Sequence, residues 1–273
     1  MNRITVQVCS KDRHSELALL LQSLRTQSYQ EWDLMILDDA SGSPISGCGF
    51  LMALTNRIKL ENHKLKIIRN DFSKGVCMAR NKLIESDTYN NPLVCRLDDD
   101  VVLQYDYLER LVRVIEQGYD IASGVTPLMS YPEIKRANKF IDKIINKHEL
   151  DKEGNLILNR DECGYCYEDE GIYLTHQFRS NALYKKEITD NGVRYPDILS
   201  FVGFREELWF SFRSIIKGYK IGVDVQAIVY HFQTSSGGTR CSNYFDNVKL
   251  DEETTKKQIS KWYKKYGDFL KNE

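Results

Sequence analysis

The residues best suited to chemistry in this 273-residue chain are carboxylates that gather where apolar runs end. The densest group is Arg96-Leu97-Asp98-Asp99-Asp100-Val101, with three acids directly after an apolar stretch. Like charges side by side repel, and a hard divalent ion such as Mg²⁺ or Mn²⁺ would neutralise them. Such ions take oxygen ligands, commonly one or two carboxylates plus substrate phosphates. If strand geometry continues through the run, Asp98 and Asp100 point one way and Asp99 the other. The structural alternative is a solvated acidic turn that caps the following helix, where Asp is favoured. Leu37-Asp38-Asp39-Ala40-Ser41-Gly42 repeats the placement. A carboxylate there can accept a hydrogen bond from a base N–H or a ribose hydroxyl, or it can simply close an Asx turn.

Further candidates come from residue types at predicted helix starts. Gly75-Val76-Cys77-Met78-Ala79-Arg80-Asn81 opens on a glycine that permits close backbone approach to a ligand. Arg80 brings a fixed positive charge for an acidic cluster or a phosphate, unless it is an ordinary surface arginine. Gly203-Phe204-Arg205-Glu206-Glu207-Leu208 places two glutamates at the start of a helix. The helix dipole explains them structurally; functionally, one of them is a general base for an acceptor hydroxyl. His231 closes the apolar run Ile228-Val229-Tyr230, a position where a packed histidine is as ordinary as a metal ligand.

The elements that must position these residues alternate. Ile4 to Cys9 reads as a strand, and Leu17, Leu20, Leu21 and Leu24 give a helical face over Glu16 to Leu24. Strands follow at Leu34 to Leu37, Lys66 to Arg69, Leu93 to Leu97 and Asp120 to Ser123, with helices at Val76 to Glu85 and Tyr107 to Glu116. Such alternation predicts an α/β fold with a mostly parallel central sheet flanked by helices, whose ligands bind beyond the carboxyl ends of the strands. The acidic groups sit at those ends. From about Tyr131 to Gly171 the pattern gives way to a charged insertion with few clear strands. Regular signals return at His176 to Tyr184, at the helix Glu206 to Ile216 and at the strand Ala227 to His231. A terminal helix over Asp251 to Leu270 aligns Ile259, Trp262, Tyr263 and Tyr266.

Bulk composition narrows the function. Lys plus Arg is 38 and Asp plus Glu is 39, so no charge excess points to stable nucleic-acid binding. Seven scattered cysteines suit reduced thiols rather than a disulfide framework. The start, MNRITVQVCSKDR, is too charged for a signal peptide, and no apolar run reaches the ~18 residues of a membrane span. The expected location is the cytoplasm, with peripheral membrane association left open.

Taken in order, these motifs resemble the family 2 glycosyltransferases, inverting enzymes of the GT-A nucleotide-sugar-binding fold. The similarity runs from Thr5 to about His231, with a weaker echo in the final helix. Cys9-Ser10-Lys11-Asp12-Arg13 stands where the family has its first-strand loop, which implies nucleotide-binding roles for Ser10, Asp12 and Arg13. Asp38-Asp39 matches the acidic pair that contacts uracil, and Gly75 with Ala79-Arg80-Asn81 matches the segment beside the nucleotide. Asp98-Asp99-Asp100 matches the Asp-x-Asp motif. The resemblance implies Mn²⁺ or Mg²⁺ held by Asp100, Asp98 and His231, with Asp98 and Asp99 also beside the donor. It further implies a UDP-sugar donor and an acceptor hydroxyl on a glycan, a lipid-linked sugar or another molecule. Glu206-Glu207 looks like the family's Glu-Asp catalytic pair, which makes Glu207 the base ahead of Glu206. A Gly-rich loop from Ser235 to Thr239 is then expected to close over the donor, with Arg240 near the diphosphate. The family's pattern also implies a non-processive enzyme. Gln258 to Trp262 echoes a processive motif without any membrane span, and it reads as part of a packed helix.

The expected organisation is one continuous domain. Residues 1–125 form the nucleotide-sugar half, 126–235 the acceptor and catalytic half with the insertion near 131–171, and 236–273 a terminal loop and helix. Competing possibilities are a nucleotidyltransferase and a non-catalytic sugar-nucleotide or glycan-binding module. The former usually has a glycine-rich loop after the first strand, which Ser10 to Arg13 lacks; the latter predicts lost carboxylates, yet every acidic position is filled except that Glu207 stands for Asp. Cys163-Gly164-Tyr165-Cys166 invites a zinc site with His148 or His176, although one CxxC alone is thin support.

Overall fold

The structure is a computed structural model that describes residues 2–132, 135–137, 144–158 and 162–267. In chain order it begins with β1 (Ile4–Ser10), α1 (His14–Arg25), β2 (Trp32–Asp38), α2 (Gly49–Leu60), β3 (Leu65–Arg69), α3 (Val76–Ser86), β4 (Leu93–Leu97), β5 (Val101–Leu103), α4 (Tyr107–Glu116) and β6 (Ile121–Val125). Among its described residues the insertion carries five two-residue strands, β7 (Lys135–Arg136), β8 (Ile144–Ile145), β9 (Glu149–Leu150), β10 (Leu156–Ile157) and β11 (Cys166–Tyr167). Then come β12 (Ile172–Thr175), β13 (Ala182–Lys185), α5 (Glu187–Asp190), α6 (Glu206–Ile215), β14 (Ile221–His231) and α7 (Tyr244–Tyr266).

One large sheet runs in the order β3-β2-β1-β4-β13-β6-β14-β12-β8, with β5 paired to β14. Its first four strands are parallel, and β2 is buried along its whole length, as expected where helices cover both faces. Leu17, Leu20, Leu21 and Leu24 of α1 pack onto that sheet and are fully buried. Ser10 lies in register with Asp38, and Leu97 with Val8, so β1, β2 and β4 end side by side.

Beyond β4 the sheet is mixed. β13 enters antiparallel between β4 and β6, so β6 does not adjoin β4. Of the regular signal over His176 to Tyr184, only the end from Ala182 is strand, as part of β13, and β12 closes just before that signal, at Thr175. Residues between them include buried Phe178 and Ser180 at φ 32°, a conformation no strand residue adopts. The insertion also adds an edge strand to the main sheet through β8, which pairs with β12. The terminal helix starts earlier than expected, at Tyr244, and Leu270 lies outside the described residues. Ile259 and Tyr263 are buried, while Trp262 packs edge-on to Trp209 and stacks with Phe212. Among the described residues no helix is long and apolar enough to cross a membrane.

Candidate active site

The carboxyl ends of β1, β2, β4 and β14 open onto one cleft of about 370 Å³. Ser10, Arg13, Asp39, Arg80, Asp98, Asp99, Asp100, Glu206, Glu207 and His231 all line it, so most of the expected site residues converge. Asp12 and Gly75 do not line it. The Asp12 carboxylate accepts from the backbone N–H of Gly42 at 2.6 Å and from Lys11, which braces two neighbouring loops. Gly75 approaches protein rather than an open ligand position: a Cβ on it would stand 2.4 Å from the Phe201 carbonyl oxygen.

The acidic run does not alternate as a strand would. β4 stops at Leu97 and a turn over Asp99 and Asp100 precedes β5, so the alternation expected for Asp98 and Asp100 is lost. Asp99 and Asp100 instead share Arg13, at 2.9 and 3.1 Å. Asp98 turns to Arg80 at 2.5 Å and Arg96 at 3.5 Å. Burial pushes the Asp98 carboxyl up, but Arg80, Arg96 and His231 outweigh it and hold it down at about 2. Asp99 has no such surplus of cations. Burial raises it against the pull of Arg13, Asp100 adds repulsion, and it reaches about 6.

β5 explains how His231 arrives. This short strand pairs Val101 with His231, which sets the imidazole Nε2 3.1 Å from Asp100 Oδ1. One carboxylate oxygen and one imidazole nitrogen, both facing the cleft, form a donor set that suits Mn²⁺ or Mg²⁺ completed by phosphate oxygens. Asp98 also lines the cleft, and Arg80 and Arg96 both meet its Oδ1. No group of three or more His, Cys, Asp or Glu side chains among the described residues is arranged to hold a metal by itself. The zinc expectation fails on the same observation. The Cys163 sulfur accepts from Asn146 at 3.3 Å, and His148 Nδ1 meets the Tyr263 hydroxyl at 2.5 Å.

The loop after β14 folds back over Arg13. Arg13 donates to the Ser236 and Thr234 carbonyls at 3.0 and 3.3 Å, and the Gly238 N–H donates to the Lys11 carbonyl at 2.7 Å. Arg240 lines the cleft, stacks on Tyr244 at 4.1 Å, and has no ion-pair partner among the described residues. On the second strand end, Asp38 is consumed by structure: it accepts from the Ser41 and Ile45 amides and from Arg69. Asp39 faces the cleft and accepts from Asn70 at 2.7 Å and from the Ser73 hydroxyl.

The two glutamates part company. Glu206 is buried and clamped by Arg80 at 3.1 Å and Arg96 at 2.8 Å. Glu207 also lines the cleft but makes no ion pair among the described residues, and burial together with the charge of Glu206 pushes its carboxyl up to about 7. A carboxyl poised there can take a proton near neutrality. Sequence reasoning missed Arg96 and Asn181 as site residues. Arg96 ties Glu206 to Asp98 from inside a fully buried strand, and Asn181 accepts from the Asp98 N–H at 2.9 Å. A lone arginine within an apolar strand was the available signal for the first; nothing local marked the second.

Comparison with known proteins adds a second line of observation. The family model described as Glycosyl transferase family 2 matches residues 5–191. A curated relative from Haemophilus influenzae, named only as an uncharacterized glycosyltransferase, is 24% identical over 160 residues; these cover 58% of this chain and 49% of that protein. The chain thus spans about half the length of the curated relative it matches. Among solved structures, S. aureus TarS 1-349 in complex with UDP-GlcNAc is similar at TM-score 0.61 and 13% identity, over 91% of this chain and 65% of that one. GalNAc-T7 with UDP, GalNAc and Mn²⁺ is similar at TM-score 0.65 and 16% identity, over 92% and 48%. The mannosyltransferase PcManGT from Pyrobaculum calidifontis, with GDP-Man and Mn²⁺, gives TM-score 0.55 and 13% identity over 85% and 57%.

Proposed function

For this chain, which belongs to glycosyl transferase family 2 and has the GT-A fold, we propose transfer of a sugar from a UDP-sugar to an acceptor hydroxyl with inversion, dependent on a divalent cation. The observation that carries the reading is Glu207, a carboxyl raised to about 7 in the same cleft as the Asp100–His231 pair. Family membership favours glycosyl transfer over nucleotidyl transfer. Seven cysteines outside any disulfide suit a reducing compartment such as the cytoplasm.

Residues 1–125 would form the donor half, 126–235 the acceptor and catalytic half, and 236–273 the closing loop and helix. Asp39 would accept from the base, and Asp98, which keeps part of its carboxylate exposed, from the ribose. Asp100 and His231 would hold Mn²⁺ or Mg²⁺, which when bound neutralises charge on the diphosphate. Arg240 would face the diphosphate from the other side. Glu207 would take the acceptor proton as that oxygen bonds to the anomeric carbon and the bond from that carbon to the diphosphate oxygen breaks. Attack opposite the leaving group inverts the anomeric centre. Glu206 would act indirectly, through Arg80 and Arg96.

The test is release of UDP from a panel of UDP-sugars, with and without Mn²⁺, comparing the wild type with Asp100→Ala and Glu207→Gln. Metal-dependent turnover with one sugar, lost in both variants, is expected. Absence of turnover together with absence of metal-dependent UDP binding would sink the UDP-sugar assignment.

A further inference from the structure

The helix that carries Glu207 starts from a segment with an awkward backbone path. Gly203 and Arg205 both have positive φ, at 64° and 72°, which costs energy at the arginine. One side of the segment is pressed against the start of α3. A Cβ on Gly75 would meet the Phe201 carbonyl oxygen at 2.4 Å, and one on Gly203 would meet Val76 Cγ1 at 2.3 Å. No side chain fits between the two backbones there.

The other side is held by a single carboxylate from α7. Asp251 is fully buried and does not line the cleft. Its Oδ1 accepts from the Ser200 N–H at 2.6 Å, and its Oδ2 accepts from the Ser200 hydroxyl and the Phe204 N–H, each at 2.8 Å. Both oxygens are therefore spent on the two ends of the turn that leads to Glu207. Neighbouring residues of α7 continue the attachment, with Glu252 on Arg205 at 3.0 Å and Thr255 accepting from the Trp209 indole N–H at 2.8 Å. Among the described residues of α7, only Asp251 bonds the turn itself. An amide in its place would set an NH₂ against a backbone N–H, because it has one acceptor oxygen where two are needed.

We infer that Asp251 is a positioning residue for the base: it fixes the Ser200–Phe204 turn and thereby aims Glu207 into the cleft. The inference rests on Glu207 being the base. The charged groups that act on Glu207 are Glu206, which raises its carboxyl, and Arg205 and Arg96, which lower it.

Asp251→Asn keeps the volume and the packing, so it is the decisive variant, with Thr255→Val as a control that loosens the same helix without touching the turn. UDP-sugar hydrolysis by Asp251→Asn should fall roughly tenfold to hundredfold at saturating donor, because sub-ångström to ångström misplacement costs that much. UDP affinity should stay within about twofold, since the donor half is untouched. The rising limb of its pH–rate profile should shift from that of the wild type, while Thr255→Val keeps the wild-type midpoint. Backbone amides of residues 200–208 should exchange faster with solvent deuterium in Asp251→Asn, with β1 to β4 still protected. An unchanged rate and midpoint, or a loss of UDP affinity in parallel with the rate, would overturn the inference. If the wild type neither hydrolyses a UDP-sugar nor shows metal-dependent UDP binding, the proposed function fails by itself; with or without hydrolysis, amides 200–208 exchanging at the wild-type rate in Asp251→Asn would refute the positioning role.

Discussion

Glu206 and Glu207 are adjacent, chemically alike and differently placed, so paired substitutions separate fold from chemistry. Glu207→Gln is expected to lower turnover by about 10²–10⁴ while UDP binding persists, because only the proton acceptor is lost. The wild-type rate should climb through pH 7 as Glu207, held at about 7, ionises. Stability should move the opposite way. A carboxyl whose folded value lies above its unfolded value of 4.5 is bound to its proton more tightly when folded. Its ionisation therefore removes stability as pH rises from about 4.5 to about 7. Glu207→Gln should accordingly melt higher than the wild type at pH 8, by a gain on the order of 1 kcal/mol, and no higher at pH 4. Glu206→Gln should do the reverse. It leaves the buried guanidiniums of Arg80 and Arg96 short of an anion, a loss of about 3–5 kcal/mol that thermal unfolding would register. The sequence displayed the pair, and a family pattern ranked its members. The physical cause of the ranking, Arg96, lies 110 residues from Glu206 along the chain, beyond the reach of any local pattern.

At the level of elements, periodicity worked where one face was cleanly buried. The helix expected over Tyr107 to Glu116 is observed with those bounds, because Leu108, Leu111, Val112 and Ile115 make a clear stripe. The helix α2 went unread. Its buried Leu51, Thr55 and Ile58 are blurred by Phe50 and Leu60, which are 56% and 76% exposed. The strand β5 was hidden for another reason: three apolar residues after an acidic run look like the tail of that run, yet their pairing with β14 brings His231 to Asp100. Contacts between elements also give Gly75 a packing part, the support of the turn before α6. Gly75→Ala probes that contact beside Gly192→Ala. Both glycines have φ 85°, but a Cβ on Gly192 meets nothing within 4 Å. The ψ of 169° at Gly75 adds a strain nearly confined to glycine, so Gly75→Ala should be less stable than Gly192→Ala by at least about 1–3 kcal/mol, the cost of overpacking against Phe201 together with that strain. Equal melting temperatures for the two variants would mean that the α3 contact is loose.

At the scale of the whole molecule, the family match ends at residue 191, while Glu207, His231, Arg240 and Asp251 all lie beyond it. The matched part contributes Asp39, Arg80 and the acidic run to the cleft, and the remainder contributes Glu207, His231 and the loop that Arg13 holds. The order of motifs therefore made the proposed donor half legible, whereas the docking of α7 behind α6 emerges only once the chain is folded. A division of labour of this kind has a thermodynamic signature that needs no acceptor. A ligand that binds only the folded state stabilises it by about 2.7 kcal/mol at a hundred times its dissociation constant. For a chain of this size that raises the melting temperature by roughly 5–10 °C. UDP with Mn²⁺ should therefore raise the melting temperature of the wild type and of Glu207→Gln by the same amount, and a chelator should abolish the rise. Asp100→Ala should show little or none of it, because its carboxylate is the one shared with His231. A rise lost in Glu207→Gln would move Glu207 to the donor side of the cleft and end its assignment as base. A rise retained in Asp100→Ala would mean that the arginines alone hold the diphosphate, with Arg13 and Arg240 doing the work assigned to the cation.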